Sequence, residues 1–163
     1  MKSVSTILSF LFVLVALVGC YPTAKFYQSN LDPLVLQQMQ TQDFDTPKEI
    51  LFASTMSVFQ DSGFTIEASD LATGFITAKS PTRVAEIGWN GISNGDTVEE
   101  RSTAFVETTR PNKPSVRLNF IERSVRQRYG APNDIPNEDP AYYEKIFIKI
   151  REAIFLREAY KSK

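Results

Sequence analysis

Any chemistry in this 163-residue chain proceeds without histidine, which is absent. That removes the commonest general base and the commonest transition-metal ligand. Cysteine occurs once, at Cys20, so neither an internal disulfide nor a thiolate zinc cluster can form. Neither a Ser-x-x-Lys motif nor a Walker loop occurs. An enzyme built on this chain would need serines or acids converging from distant positions. Three other groups of residues carry recognisable chemistry. Asn133-Asp134-Ile135-Pro136-Asn137-Glu138-Asp139 crowds the hard oxygen ligands that calcium takes. Its spacing is not that of an EF-hand loop, and the alternative is a solvated loop whose last acid caps a helix; no bound metal and no cofactor is expected. Arg117, Arg123, Arg126 and Arg128, with Tyr129, form a cationic group suited to lipid phosphates or an acidic partner, or equally to a solvated strand face and exit loop. Trp89, the only tryptophan, and Asn90 lie in a glycine-rich stretch from Glu86 to Asp96. Loops on a rigid scaffold often carry recognition, and tryptophan is favoured at interface centres; the alternative is that Trp89 folds back to seal the core. The expected contact residues for a protein partner are Trp89, Asn90, Arg123, Arg126 and Arg128. The formal net charge of -1 argues against a nucleic-acid partner.

The beginning of the chain explains why Cys20 matters. Lys2 supplies a positive start, and Ile7 to Val18 is apolar apart from Ser9. As a helix that run covers roughly 18 Å, well short of the ~30 Å hydrocarbon core. It reads as an export signal rather than a permanent span. Leu17-Val18-Gly19-Cys20 resembles the lipobox of type II signal peptides, with a large aliphatic residue three places before the cysteine and a small residue directly before it. The resemblance implies that the Cys20 sulfur receives a diacylglycerol, that cleavage falls between Gly19 and Cys20, and that the new amino group is acylated, as with palmitate. In enterobacterial-type lipoproteins an Asp after the cysteine resembles an inner-membrane retention signal. Tyr21 stands there instead, which implies the outer membrane with the domain facing the periplasm.

The elements that must position the remaining groups are readable in order. Residues 1–19 form the signal, 20–36 a lipidated terminus and tether with a reach of roughly 20–25 Å, and 37–163 one α+β domain. Gln37 to Phe44 is expected as a polar strand. Thr46-Pro47-Lys48-Glu49 is a helix start in which Thr46 caps, Pro47 takes the first helical position and Glu49 completes a capping box. Leu51, Phe52, Thr55, Met56 and Phe59 then share a helical face, and Ser62-Gly63 ends the helix. Phe64 to Ser69 alternates, with Phe64, Ile66 and Ala68 inward, and Phe75 to Lys79 returns as the partner of a hairpin. Glu99 to Arg110 and Ser115 to Arg123 form a second hairpin, with Val116, Leu118 and Phe120 on one face. Asp139-Pro140 opens a final helix whose buried stripe is Tyr143, Ile146, Phe147, Ile150 and Ile154.

The order β-α-β-β-β-β-α predicts one antiparallel sheet of about four to five strands, covered on one face by two helices. No internal repeat or coiled-coil heptad interrupts it. This order resembles the compact helix-grip domains of small envelope lipoproteins such as BamC, an outer-membrane assembly accessory. Phe59-Gln60-Asp61-Ser62-Gly63-Phe64-Thr65-Ile66, followed by Gly74-Phe75-Ile76, is similar to a helix, corner and hairpin found in uncharacterised lipoproteins. The resemblance implies a fold and assigns no functional residue. The expected function is a membrane-anchored, non-catalytic binding or structural domain, an accessory to an envelope complex. A carrier of a lipid or other small apolar ligand, held between sheet and final helix, is the first alternative. A cell-envelope hydrolase is the second.

Overall fold

The computed structural model describes residues 27, 29, 31–84, 95–110, 113–125 and 132–161. Its framework is a pair of long strands, β5 (Thr97–Arg110) and β6 (Lys113–Val125), joined antiparallel along their length. Alternation decides which way each faces. Ser102, Ala104 and Val106 of β5 and Val116, Leu118 and Phe120 of β6 point to one side and are buried, while Arg101, Thr103, Phe105, Arg117 and Asn119 point to the other.

Shorter strands extend this pair into a seven-stranded antiparallel sheet. β1 (Thr41–Asp43), β6, β5, β3 (Phe75–Lys79) and β2 (Thr65–Asp70) lie in that order; β4 (Arg83–Val84) also pairs with β5, and β7 (Asn133–Pro136) with β6. The expected four to five strands are thus too few. β4 and β7 have two and four residues, too short to show a period, and the prolines and acids around β7 imitate a solvated loop. The α+β class with one antiparallel sheet stands.

Three helices accompany the sheet: α1 (Pro33–Gln40), α2 (Lys48–Asp61) and α3 (Pro140–Lys161). α1 overturns the expected tether at its end and the expected strand at its start. The Leu34 N–H donates to Asp32 Oδ1 at 2.8 Å and Pro33 takes the first turn, the same Asp-Pro signal that opens α3. There the Ala141 N–H donates to Asp139 Oδ1 at 3.0 Å. The run of glutamines hid α1, since only Gln40 of its eight residues is buried.

α2 begins one residue later than expected. Pro47 is its N-cap, with extended backbone, and makes no side-chain cap. The Thr46 hydroxyl instead donates to Glu158 Oε1 of α3 at 2.6 Å, so a tertiary bond replaces the local one. The rest of the helix follows the sequence pattern: Leu51, Phe52, Thr55 and Phe59 are buried, with Ile50, Ser54 and Val58 beside them and Met56 half-buried. It ends in a Schellman turn, the Phe64 N–H donating to Phe59 O and the Gly63 N–H to Gln60 O, both at 2.9 Å, with Gly63 at φ +87°. α3 buries the expected stripe, Tyr143, Ile146, Phe147, Ile150 and Ile154. α2 and α3 pack on each other and on the apolar face of the sheet; each large side chain they bury contributes roughly 1.5–3 kcal/mol.

β2 departs from its expected alternation. The register with β3 shifts between Ile66 and Ala68, so Glu67 is an extra residue and Ala68 pairs with Thr77 on the outer side. Ala68 is therefore exposed, although Phe64 and Ile66 turn inward. The hairpin itself closes on Gly74, at φ +83°, whose carbonyl accepts from the Val106 N–H at 2.8 Å. A Cβ there would lie 2.0 Å from the Val106 carbonyl oxygen, whereas one on Gly63 would meet nothing within 4 Å. Gly63→Ala should cost about 1–2 kcal/mol, the backbone cost alone. Gly74→Ala must also move β5 and should cost roughly 3 kcal/mol or more. Urea unfolding of both variants checks the order, and equal losses would contradict the close approach at Gly74.

Candidate functional site

One face of the sheet lies under α2 and α3, and the other carries a groove. On the outer side of β6, β1 pairs with Ser115 to Arg117 and β7 with Ile121 to Ser124. Between them the Asn137 N–H donates to Phe120 O at 2.8 Å. The interval left between β1 and β7 opens onto a groove of about 480 Å³, with Leu36 and Gln40 on one bank and Pro136 on the other.

Its floor follows from the strand register. Phe75, Phe105 and Arg117 are cross-strand neighbours in one row. Thr77, Thr103 and Asn119 form the next. The Phe75 and Phe105 rings stand 5.4 Å apart, and Phe75 is 49% exposed although it is large and apolar. Such pairs stabilise a sheet by roughly 0.2–1 kcal/mol, so the pair is no burden to the fold while it presents aromatic surface to the outside.

Arg117 is oriented from behind. Its Nε and Nη2 donate to Gln40 Oε1 at 3.4 and 3.2 Å. Gln40 Nε2 donates to the Tyr143 hydroxyl at 3.4 Å, and that hydroxyl donates to Asn137 O at 3.1 Å. Gln40 is 3% exposed and Tyr143 not at all. Burial pushes the Tyr143 hydroxyl above its ordinary pKa, which keeps its proton in place as a donor. A chain of donors and acceptors thus runs from the core through the end of α1 to a guanidinium at the rim. The ion pairs among the described residues are Lys79–Glu67, Arg101–Glu99 and Arg123–Asp134; Arg117 is in none of them, and its partner Gln40 is neutral.

A second polar cluster sits where β5 meets the start of α3. The Tyr142 hydroxyl donates to Glu100 Oε1 at 2.8 Å. Burial raises the Glu100 carboxyl above the usual carboxylate range, against the lowering effect of the Tyr142 bond and the Arg83 charge; Glu122, its cross-strand neighbour, raises it further. Tyr142 is also raised, first by burial and then by Glu100. A phenol so weakly acidic is a donor, not a nucleophile.

The sequence candidates fall as follows. Gly19, Cys20, Trp89, Asn90, Arg126 and Arg128 lie outside the described residues. Arg123 lies within them and is closed in a fork: Nε to Asp134 Oδ1 at 2.7 Å and Nη2 to Oδ2 at 2.6 Å. That bond holds Asp134 below the usual carboxylate range. Thr97 pairs with both Val84 and Val125, so the last described residues before segments 85–94 and 126–131 flank β5 at the same end of the sheet.

In the acid-rich stretch, Asp134 faces Arg123, Asn137 Oδ1 accepts from the Asp139 N–H, and Asp139 caps α3. Among the described residues no three histidine, cysteine or acidic groups are arranged to hold a metal ion. Gly91-Ile92-Ser93-Asn94-Gly95 has the spacing of a hydrolase nucleophile elbow, but that motif needs a helix after the turn and a histidine base. Here β5 follows, and the chain has no histidine. The groove itself was not read from the sequence. Its signals were Arg117, named within the cationic group, and Phe75 and Phe105, aromatics on the outward sides of alternating strands.

No family model matches the chain, and no curated protein matches it. Among solved structures it is similar to a DUF4468 family protein from Bacteroides ovatus, at 12% identity over 70% of this chain and 84% of that one, with a TM-score of 0.40.

The raised Glu100 carboxyl makes stability depend on pH. The folded chain holds this proton at higher pH than the unfolded chain does, so the group's contribution is full below its unfolded pKa and is lost as pH rises through the folded one. Gln in its place keeps an oxygen for Tyr142 without the buried charge. Glu100→Gln should raise the urea midpoint at pH 7 and flatten the decline in stability from mildly acidic to neutral pH. A variant less stable at pH 7, with the decline unchanged, would contradict this account.

Proposed function

We propose that this chain is a bacterial lipoprotein whose folded part is a non-catalytic binding domain held on a membrane by acyl groups on Cys20. Supporting the anchor are the lipobox-like Leu17-Val18-Gly19-Cys20 and the short apolar run before it. No helix among the described residues is long and apolar enough to cross a membrane. With cleavage after Gly19 and Tyr21 following the cysteine, the domain faces the periplasm from the outer membrane. Two or three long chains hold far more firmly than one, at about 0.8 kcal/mol per buried methylene.

The observation that carries the binding role is the open sheet face. Helices pack on one side, while the other exposes Phe75 beside the half-buried Phe105 ring and an arginine held by a buried hydrogen-bond chain. Specific polar groups set among apolar ones are the usual make-up of a recognition site. The domain serves as an accessory to another envelope component, which it meets through this face and the adjoining end where segments 85–94 and 126–131 have their stems.

A carrier of a small apolar ligand is the second reading, and the 480 Å³ groove favours it. The groove lies opposite the sheet–helix interior first considered for such a ligand. Phe59, Phe120, Tyr143 and Ile150 fill that interior without exposed surface.

Fractionation and intact-mass spectrometry test the anchor. Wild-type protein extracted from membranes should be heavier than the polypeptide starting at Cys20 by a diacylglycerol and an acyl chain. Cys20→Ser should lack that added mass and leave the membrane fraction or persist as precursor. Unmodified wild-type mass, or full membrane retention of a cleaved Cys20→Ser chain, would overturn the lipoprotein reading.

A further inference from the structure

We infer that the open-face groove binds a monocarboxylate carried on an apolar body about as long as a medium acyl chain, with Arg117 receiving the carboxylate. This rests on the second reading, a small ligand carried in the groove, and does not depend on the lipid anchor. Charge selects the head group. Arg117 brings a full positive charge to the rim and, among the described residues, meets the neutral Gln40 oxygen and no carboxylate, while the ion-paired cations Lys79, Arg101 and Arg123 already have carboxylates. A guanidinium fork matches a carboxylate in two parallel bonds. The Gln40 bond uses the Nε side and Nη2, and Nη1 takes no part in it. The buried chain through Gln40 and Tyr143 fixes the direction of the fork in advance, which lowers the ordering cost of binding.

A phosphate fits less well, because a dianion would face one cation without a second to balance it. The apolar body follows from the row beyond Arg117. Phe105 is its direct neighbour on β5 and Phe75 the next on β3, two strand spacings or roughly 10 Å away. Leu36 and Pro136 supply apolar banks. A groove of about 480 Å³ lies in the range that small organic ligands occupy.

The test uses the full chain as purified from its host, free of added lipid, with methyl NMR of Leu36 and Ile121 at the groove and of Ile150 in the core as a control for folding. Decanoate, below its micelle concentration, should shift the groove methyls saturably and leave Ile150 in place. Decan-1-ol should bind at least tenfold more weakly, because it lacks the charge. Arg117→Gln should weaken decanoate tenfold or more while leaving decan-1-ol unchanged. Phe105→Ser should weaken both.

Equal binding of acid and alcohol, or wild-type decanoate binding by Arg117→Gln, would overturn the role of Arg117. Tighter binding of decyl phosphate than of decanoate would overturn the carboxylate. Absence of saturable shifts with any of the three compounds would overturn the groove as a small-ligand site. None of these outcomes bears on whether Cys20 carries a lipid or whether the chain fractionates with membranes, so failure here is distinguishable from failure of the anchor.

Discussion

Phe120 lies within β6 with no exposed surface, and its ring meets four others: Phe59 of α2, Phe64 at the corner after it, and Tyr142 and Tyr143 of α3. Centroid distances run from 5.0 Å to Tyr142 to 6.1 Å to Phe64, in the range where tilted and edge-on rings attract beyond simple burial. This cluster is where both long helices are fixed to the sheet. It also fixes the far side. The residues flanking Phe120, Asn119 and Ile121, must point the other way, into the groove. Tyr143, locked against the same ring, holds the amide that holds Arg117. Burial on one side of the strand thus determines the geometry of the groove on the other.

What could be read from the sequence follows from how strongly each element repeats. α3 and the β5–β6 hairpin show their periods over many residues, and every apolar position expected to be buried there is buried. The Ser62-Gly63 stop was legible because only the chemistry of glycine makes that turn easy. β4 and β7 were not, since two or four residues contain no period. α1 was hidden by glutamines that say nothing about a face. Its Asp32-Pro33 start was as explicit as Asp139-Pro140, but no apolar stripe followed to confirm it. The Thr46 cap failed for a different reason. A local rule assigned the hydroxyl to its own helix, and a carboxylate 112 residues away took it.

The candidate site was less legible still. Isolated arginines in a sequence differ only by their partners, and partners are tertiary facts. Arg123 looked as available as Arg117, yet Asp134, on a strand too short to foresee, closes it in a fork. Arg117 draws only an amide. Nothing near it in sequence carries that distinction. Phe75 and Phe105 likewise stand thirty positions apart and become neighbours only through the β3–β5 register. Cys20 is the opposite case, where adjacent residues alone define the expectation and the fold adds nothing to it.

The extra residue at Glu67 has a bearing on crowding. β2 is one border of the sheet, and an uninterrupted border strand can recruit the same strand of a neighbouring molecule, starting a growing fibre. Here the bulge breaks the backbone rhythm midway, and the Glu67–Lys79 pair sets charge beside it. At the opposite border β1 offers only three residues, and β7 has four. Among the described residues, neither border therefore offers a neighbouring copy a long unbroken edge to zip along.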